Sequence, residues 1–102
     1  MKICAISDIH GHLINIPECD VLCIAGDIVN LLAQRSNEKS DKFWSITFVN
    51  WVDKLPCKKV IVVPGNHDIY IENLINDIIK DLSWQDFKTK ISALTDNKVV
   101  FL

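Results

Sequence analysis

Lys59-Val60-Ile61-Val62-Val63-Pro64-Gly65-Asn66-His67-Asp68 is the stretch that decides how this chain is read. Four consecutive β-branched residues after Lys59 make a run too short for a helix, and Pro64 ends it, so it reads as a buried strand. The next four residues read as the loop at the strand's carboxyl end. They offer an amide oxygen, an imidazole and a carboxylate behind a glycine that lets the backbone turn tightly. Gly and Asn are also ordinary turn residues, so the meaning of the loop depends on what the other strand ends carry.

Two other runs share the pattern. Lys2 to Ser7 is a short apolar run that breaks at Asp8-Ile9-His10-Gly11-His12, and Val21-Leu22-Cys23-Ile24-Ala25 ends at Gly26-Asp27. Short apolar runs separated by helices or crossovers favour a parallel sheet, so the expected class is α/β, a mostly parallel sheet flanked by helices. In such a sheet the loops at the carboxyl ends gather on one edge, where open α/β folds place ligands. Asp8, His10, Asp27, Asn66, His67 and Asp68 are thereby expected in one cleft.

The intervening segments are read as follows. Leu13 to Asp20 carries Pro17 and is too short for a helix, and Asn30 to Ser40 is expected to be an exposed polar loop. From about Asp41 to Leu55, Phe43, Ile46, Phe48, Val49, Trp51, Val52 and Leu55 fit a helix with a wide buried face, stopped by Pro56. Phe43, Trp44 and Trp51 could pass for a base-stacking set, but their helical context favours core packing. Ile71, Leu74, Ile75, Ile78, Ile79 and Leu82 recur at helical spacing, and Ser83-Trp84-Gln85-Asp86 resembles a capping box that opens another helix bearing Phe87, Ile91 and Leu94. Thr95-Asp96-Asn97 reads as a turn, and Lys98 to Leu102 as a fourth strand.

Composition bounds the function classes. The chain has 102 residues, expected to form a single domain over 1–102, with 49% hydrophobic and 24% charged residues, a globular composition. A net charge of -2 with no dense Lys/Arg run argues against an extensive nucleic-acid or membrane surface, although a small anionic substrate is compatible if metal supplies the positive charge. The amino-terminal apolar run is too short for a signal peptide and no stretch reaches transmembrane length, so a cytoplasmic protein is expected. Cys4, Cys19, Cys23 and Cys57 form no Cys-x-x-Cys pair and read as buried thiols.

Asp8-x-His10 places a carboxylate and an imidazole two residues apart, Asp27 offers two oxygens that can bridge cations, and Asn66 adds an amide oxygen. Mixed oxygen and nitrogen ligation suits Mn, Fe, Zn or Mg, and a pair of such ions is a standard device for displacement at phosphorus. Singly, each motif has a bland reading as a polar turn. Together, in order and each at a strand end, they point to a shared metal centre.

Ser7-Asp8-Ile9-His10-Gly11, Gly26-Asp27 and Gly65-Asn66-His67-Asp68 resemble the first three motifs of the calcineurin-like metallophosphoesterase superfamily. The segments Pro17 to Asp27 and Phe48 to Pro56 are similar to its small metallophosphoesterase-domain, brain-protein-239-like branch. The resemblance implies the amino-terminal half of an αββα sandwich and hydrolysis of phosphoesters, phosphodiesters favoured, by a hydroxide bridging two divalent ions. Asp8, His10 and Asp27 would bind one ion, and Asp27 with Asn66 the other. His67 would protonate the leaving oxygen, with Asp68 orienting its imidazole. His12 matches no ligand position and is expected at the substrate edge or in solvent.

The family pattern continues with a further histidine and a Gly-His-x-His motif, and all three histidines of this chain are already placed. The second cation site is therefore expected to be poorly completed and the domain to be truncated, with one sheet face left apolar for self-association or a complementing carboxyl-terminal half. Alternatives to an active phosphoesterase are a binding module that keeps the fold without catalysis and a non-functional fragment.

Overall fold

The computed structural model describes residues 1–30, 33, 36–65, 68–76, 79 and 82–102. Four strands, β1 (Ile3–Ser7), β2 (Val21–Ala25), β3 (Lys59–Val63) and β4 (Val99–Phe101), form one sheet in the order β1-β2-β3-β4. Every pairing is parallel, with Cys4, Leu22, Val60 and Val99 in register across the sheet. The four strands lie where the apolar runs place them, each within a residue or two.

Sequential order with parallel pairing has a strong consequence. Right-handed crossovers that always step the same way carry every connection over the same face of the sheet. The burial pattern agrees, since Leu22, Ile24, Val60 and Val62 are fully buried on the helix-covered face. Their alternates on the other face are open: Ile3 is 61% exposed, Val63 44% and Val100 43%. Parallel sheets usually have both faces covered, so this face is an apolar surface of the kind expected from the sequence.

Between β2 and β3, α1 (Asn37–Lys42), a π-helical segment (Phe43–Phe48) and α2 (Val49–Asp53) run on without a break. The helix begins earlier than the polar sequence suggests, so residues 37–40 are not loop. Ser36 is the reason: its side chain accepts a hydrogen bond from the Lys39 N–H as an N-cap, and Glu38 sits in the first turn. The far end stops short of Pro56, where Lys98 Nζ donates to the carbonyls of Val52 and Leu55 at 2.8 and 2.9 Å.

The aromatic residues of this helix are core, as their spacing predicts. Trp44 and Phe48 are fully buried, with ring centroids 4.8 Å apart, and Trp44 also meets Phe87 at 6.1 Å and Phe101 at 5.8 Å. Trp44 thus joins the helix to the last helix and the last strand. Trp51 is half-buried and donates from Nε1 to the Ile14 carbonyl at 3.0 Å, holding down the first crossover.

After β3, α3 (Ile69–Ile75) is shorter than the apolar periodicity predicts and ends at Asn76, a residue type that favours caps and turns. Ile78 lies outside the described residues, while Ile79 and Leu82 pack against the core from non-helical backbone. Then α4 (Trp84–Leu94) opens as expected on Ser83, whose Oγ accepts from the Asp86 N–H at 3.0 Å. Asp41 ties the helices together by accepting from Tyr70 Oη and Lys90 Nζ, both at 3.2 Å. Burial first, and then the Asp41 carboxylate, push the Tyr70 hydroxyl well above its ordinary value.

All four cysteines are free. Cys19 is buried while Cys4, Cys23 and Cys57 are half-buried, so the expectation of thiols within the packing holds most fully for Cys19. Burial, reinforced by the neighbouring Cys4 and Cys57 thiols, raises the Cys19 pKa from 9.0 to about 11.

Phe48→Ala should lower the unfolding free energy by about 3–5 kcal/mol in urea titrations. Trp44→Phe should cost clearly less, because it also removes a buried indole N–H that has no hydrogen-bond partner among the described residues. At pH 8, iodoacetamide should alkylate Cys19 about a hundredfold more slowly than an unperturbed thiol, since its thiolate fraction is reduced in that proportion. Peptide mass spectrometry over time reads this rate, and alkylation at the speed of an exposed thiol would contradict the assignment.

Candidate metal centre

The carboxyl ends of the parallel strands meet at one edge, and backbone hydrogen bonds continue beyond the strands into the loops. Gly26 N donates to Val63 O at 2.7 Å and Asp8 N to Gly26 O at 3.1 Å. His10 N donates to Asp27 O at 2.9 Å and Gly11 N to Ile28 O at 2.7 Å. The first loop is therefore laced to the second residue by residue, which sets Asp8 and His10 beside Asp27. The ligand-capable atoms of these three side chains all lie within 4.8 Å of one another.

Each of the three residues has left-handed backbone, with φ of 52° at Asp8, 46° at His10 and 52° at Asp27. Asp and His are enriched in this region among non-glycine residues, yet such conformations still cost of order 1–3 kcal/mol each. The lacing bonds hold them there. Two carboxylates and an imidazole form a mixed oxygen and nitrogen donor set that fits a divalent cation of the Mn, Fe, Zn or Mg type.

The third loop reaches the same place by close contact. A Cβ on Gly65 would overlap the Asp27 backbone nitrogen and lie 2.5 Å from Asp27 Oδ1 and 2.6 Å from Gly26 Cα. Gly65 is thus required by proximity to the Asp27 carboxylate, a different reason from the tight turn suggested by sequence. Asn66 and His67, the expected second-cation ligand and proton donor, lie outside the described residues.

Asp68 is fully buried. Its Oδ1 accepts from the Ile28 and Val29 N–H groups at 2.9 and 3.1 Å, and its Oδ2 accepts from the Gly65 N–H at 2.8 Å. One carboxylate therefore joins the loop after β3 to the loop after β2, on either side of Asp27. Its link to Ile28 and Val29, forty residues away, has no local sequence signal.

Beside His10 opens a cavity of about 640 Å³, whose walls include Gly11, His12, Asn30, Lys39 and Lys42. His12 is exposed there, in the wall of this cavity. The two lysines belong to α1; Lys39 falls in the stretch expected to be loop and Lys42 in the expected helix. A separate cavity of about 630 Å³, reached by Cys19 and Cys57, lies at the opposite, amino-terminal ends of the strands.

Residues 1–101 match the sequence model of the calcineurin-like phosphoesterase family. The chain belongs to that family. A further similarity is to the probable rhamnogalacturonate lyase C of Emericella nidulans, 28% identical over 72 residues, which are 71% of this chain and 6% of that protein. The chain thus spans a small part of the curated relative it matches. The calcineurin-like phosphoesterase family is metal-dependent, and Asp8, His10 and Asp27 give this member a group able to hold a cation. Among the described residues no helix is long and apolar enough to cross a membrane.

The loop contacts can be tested separately from any reaction. Gly65→Ala should lower stability by about 1–3 kcal/mol through overpacking and weaken Mn²⁺ binding by roughly 10-fold or more by displacing Asp27. Asp68→Asn should cost about 2–3 kcal/mol, because an amide replaces the charged acceptor of three N–H groups and leaves buried donors unmatched. Urea titration and calorimetric Mn²⁺ titration read the two effects.

Proposed function

We propose that this chain supplies a divalent-metal centre for the hydrolysis of phosphoesters, with phosphodiesters as the favoured class. The observation that carries the reading is the convergence of Asp8, His10 and Asp27 at adjoining strand ends in a member of this family. When bound, a divalent cation supplies positive charge to polarise a phosphoryl oxygen and makes an oxygen nucleophile accessible at neutral pH. Asp8, His10 and Asp27 are assigned to one cation, and Asp27 with Asn66 to a second.

The protein residues do the rest of the work. His67 is assigned the proton that the leaving oxygen takes up, a role suited to an imidazole near neutral pH. Asp68 fixes the backbone at Gly65 and at Ile28 and Val29, around Asp27, so that the Asp27 carboxylate keeps its place through the reaction. The preference for diesters is supported by the likeness of the Pro17 to Asp27 and Phe48 to Pro56 segments to the small metallophosphoesterase-domain branch. Ligands that complete the second cation's shell are assigned to a complementing segment or a second chain, and the exposed apolar face offers a surface for such a partner. A reducing compartment, the cytoplasm, fits four thiols that are all free.

The test is Mn²⁺-dependent hydrolysis of bis(4-nitrophenyl) phosphate and of 4-nitrophenyl phosphate, with calorimetric Mn²⁺ titration alongside. Asp27→Asn should lower Mn²⁺ affinity and kcat/KM by at least about 100-fold while leaving the circular dichroism spectrum unchanged. A chain that binds Mn²⁺ but hydrolyses neither ester would favour a binding module. A chain that does neither would overturn the metal-centre assignment.

A further inference from the structure

We infer that the cavity beside the candidate metal centre is a leaving-group pocket for a second anion, so that the substrate is a phosphoester whose alcohol portion bears a further phosphate or carboxylate. This rests on the phosphoester-hydrolysis reading above and narrows its substrate class. At about 640 Å³ the cavity is of small-molecule size, and His10 stands in its wall. A ligand that fills it therefore extends from His10, one of the three candidate cation ligands, outward to α1.

The polar wall is built of donors. Lys39 and Lys42 are three residues apart on α1 and so project from one side of it. Lys39 makes no ion pair among the described residues. Lys42 meets Glu38 at 3.5 Å, but both are largely exposed, and such a pair is worth little and readily exchanged for a ligand anion. Asn30 Oδ1 accepts from the Ala33 N–H at 2.7 Å, and its two amide N–H donors make no hydrogen bond among the described residues.

No carboxylate stands among the described residues of the wall, although the chain as a whole has a net charge of -2. The cationic bias is therefore local to the space beside the site. The fold also shapes the junction: a Cβ on Gly11 would lie 2.5 Å from the Asn30 Cβ, so only glycine lets the Asn30 segment close against the first loop. The pocket and the cation ligands share that loop, with His10 on one side of Gly11 and His12 on the other.

The experiment compares methyl phenyl phosphate with its 4-carboxy and 4-phosphono derivatives, in Mn²⁺ at low ionic strength, for the wild type and a Lys39→Glu/Lys42→Glu variant. Both lysines are exposed, so the variant should fold. The ratio of kcat/KM for an anionic derivative over the parent ester should fall about tenfold in the variant, and the wild-type preference should fade with added salt. The derivative with the larger fall identifies the anion, carboxylate or phosphate. A ratio equal in the two proteins overturns the pocket while leaving hydrolysis standing, whereas a wild type inert to all three esters overturns the parent reading. Equilibrium dialysis with 4-carboxyphenylphosphonate reads the pocket without turnover: wild type should bind about tenfold more tightly than the variant, and equal binding overturns the inference.

Discussion

A buried carboxylate that receives three backbone N–H groups is the contact on which the rest of the site depends. Asp68 bonds to Gly65 in its own loop and to Ile28 and Val29 in the loop after β2. Burying a charge without partners is prohibitive, whereas burying it among several oriented donors fixes all of them at once. Asp27 lies between the segments so fixed, with Gly65 packed against its carboxylate on one side and His10 bonded to its carbonyl on the other. The loops after β1 and β2 thereby continue the hydrogen bonding of the sheet.

The one-way topology explains why the site and the apolar face occur together. Strands added in the order β1-β2-β3-β4 put every crossover on one face and every carboxyl-terminal loop on one edge. The same rule that gathers Asp8, His10 and Asp27 therefore leaves Ile3, Val63 and Val100 open on the other face. Stability has to come from the covered face, and the aromatic cluster of Trp44, Phe48, Phe87 and Phe101 supplies it by joining helix, helix and strand.

The strands and the convergence of their ends were legible in the sequence because both follow from short-range rules. An apolar run bounded by a polar break marks a strand, and parallel order places the breaks together. The resemblance to the calcineurin-like motifs added an expectation of which of those breaks carry metal ligands, and Asp8, His10 and Asp27 do converge. What was not legible depended on distance or on a single cap. Ser36 starts a helix inside a stretch whose composition reads as loop, and that helix is what brings Lys39 and Lys42 to the cavity. Asp68 was expected, from the resemblance, to orient the His67 imidazole, and nothing local signalled that it serves amides some forty positions earlier. At α3 the periodicity of the apolar residues outlasts the helix, because Asn76 caps it while Ile79 and Leu82 still reach the core.

Left-handed backbone recurs at the candidate site. Asp8, His10 and Asp27 are all left-handed, and they are the same three residues that form the candidate cation group. A left-handed residue at the end of a strand breaks the alternation of side-chain direction, so neighbouring loops can turn their functional groups toward a common point instead of to opposite faces of the sheet. That arrangement carries a conformational cost. Asp96 and Asn97, in the turn before β4, are left-handed as well, so it is the convergence of Asp8, His10 and Asp27 that sets these three apart. The lacing from Asp8 to Gly26 and from His10 to Asp27 meets the cost by making the turns part of the sheet's own hydrogen-bond pattern. Three candidate ligands on laced loops, with Asp68 bonded to the segments on either side of Asp27, are held by the backbone itself, which is what a preorganised site requires.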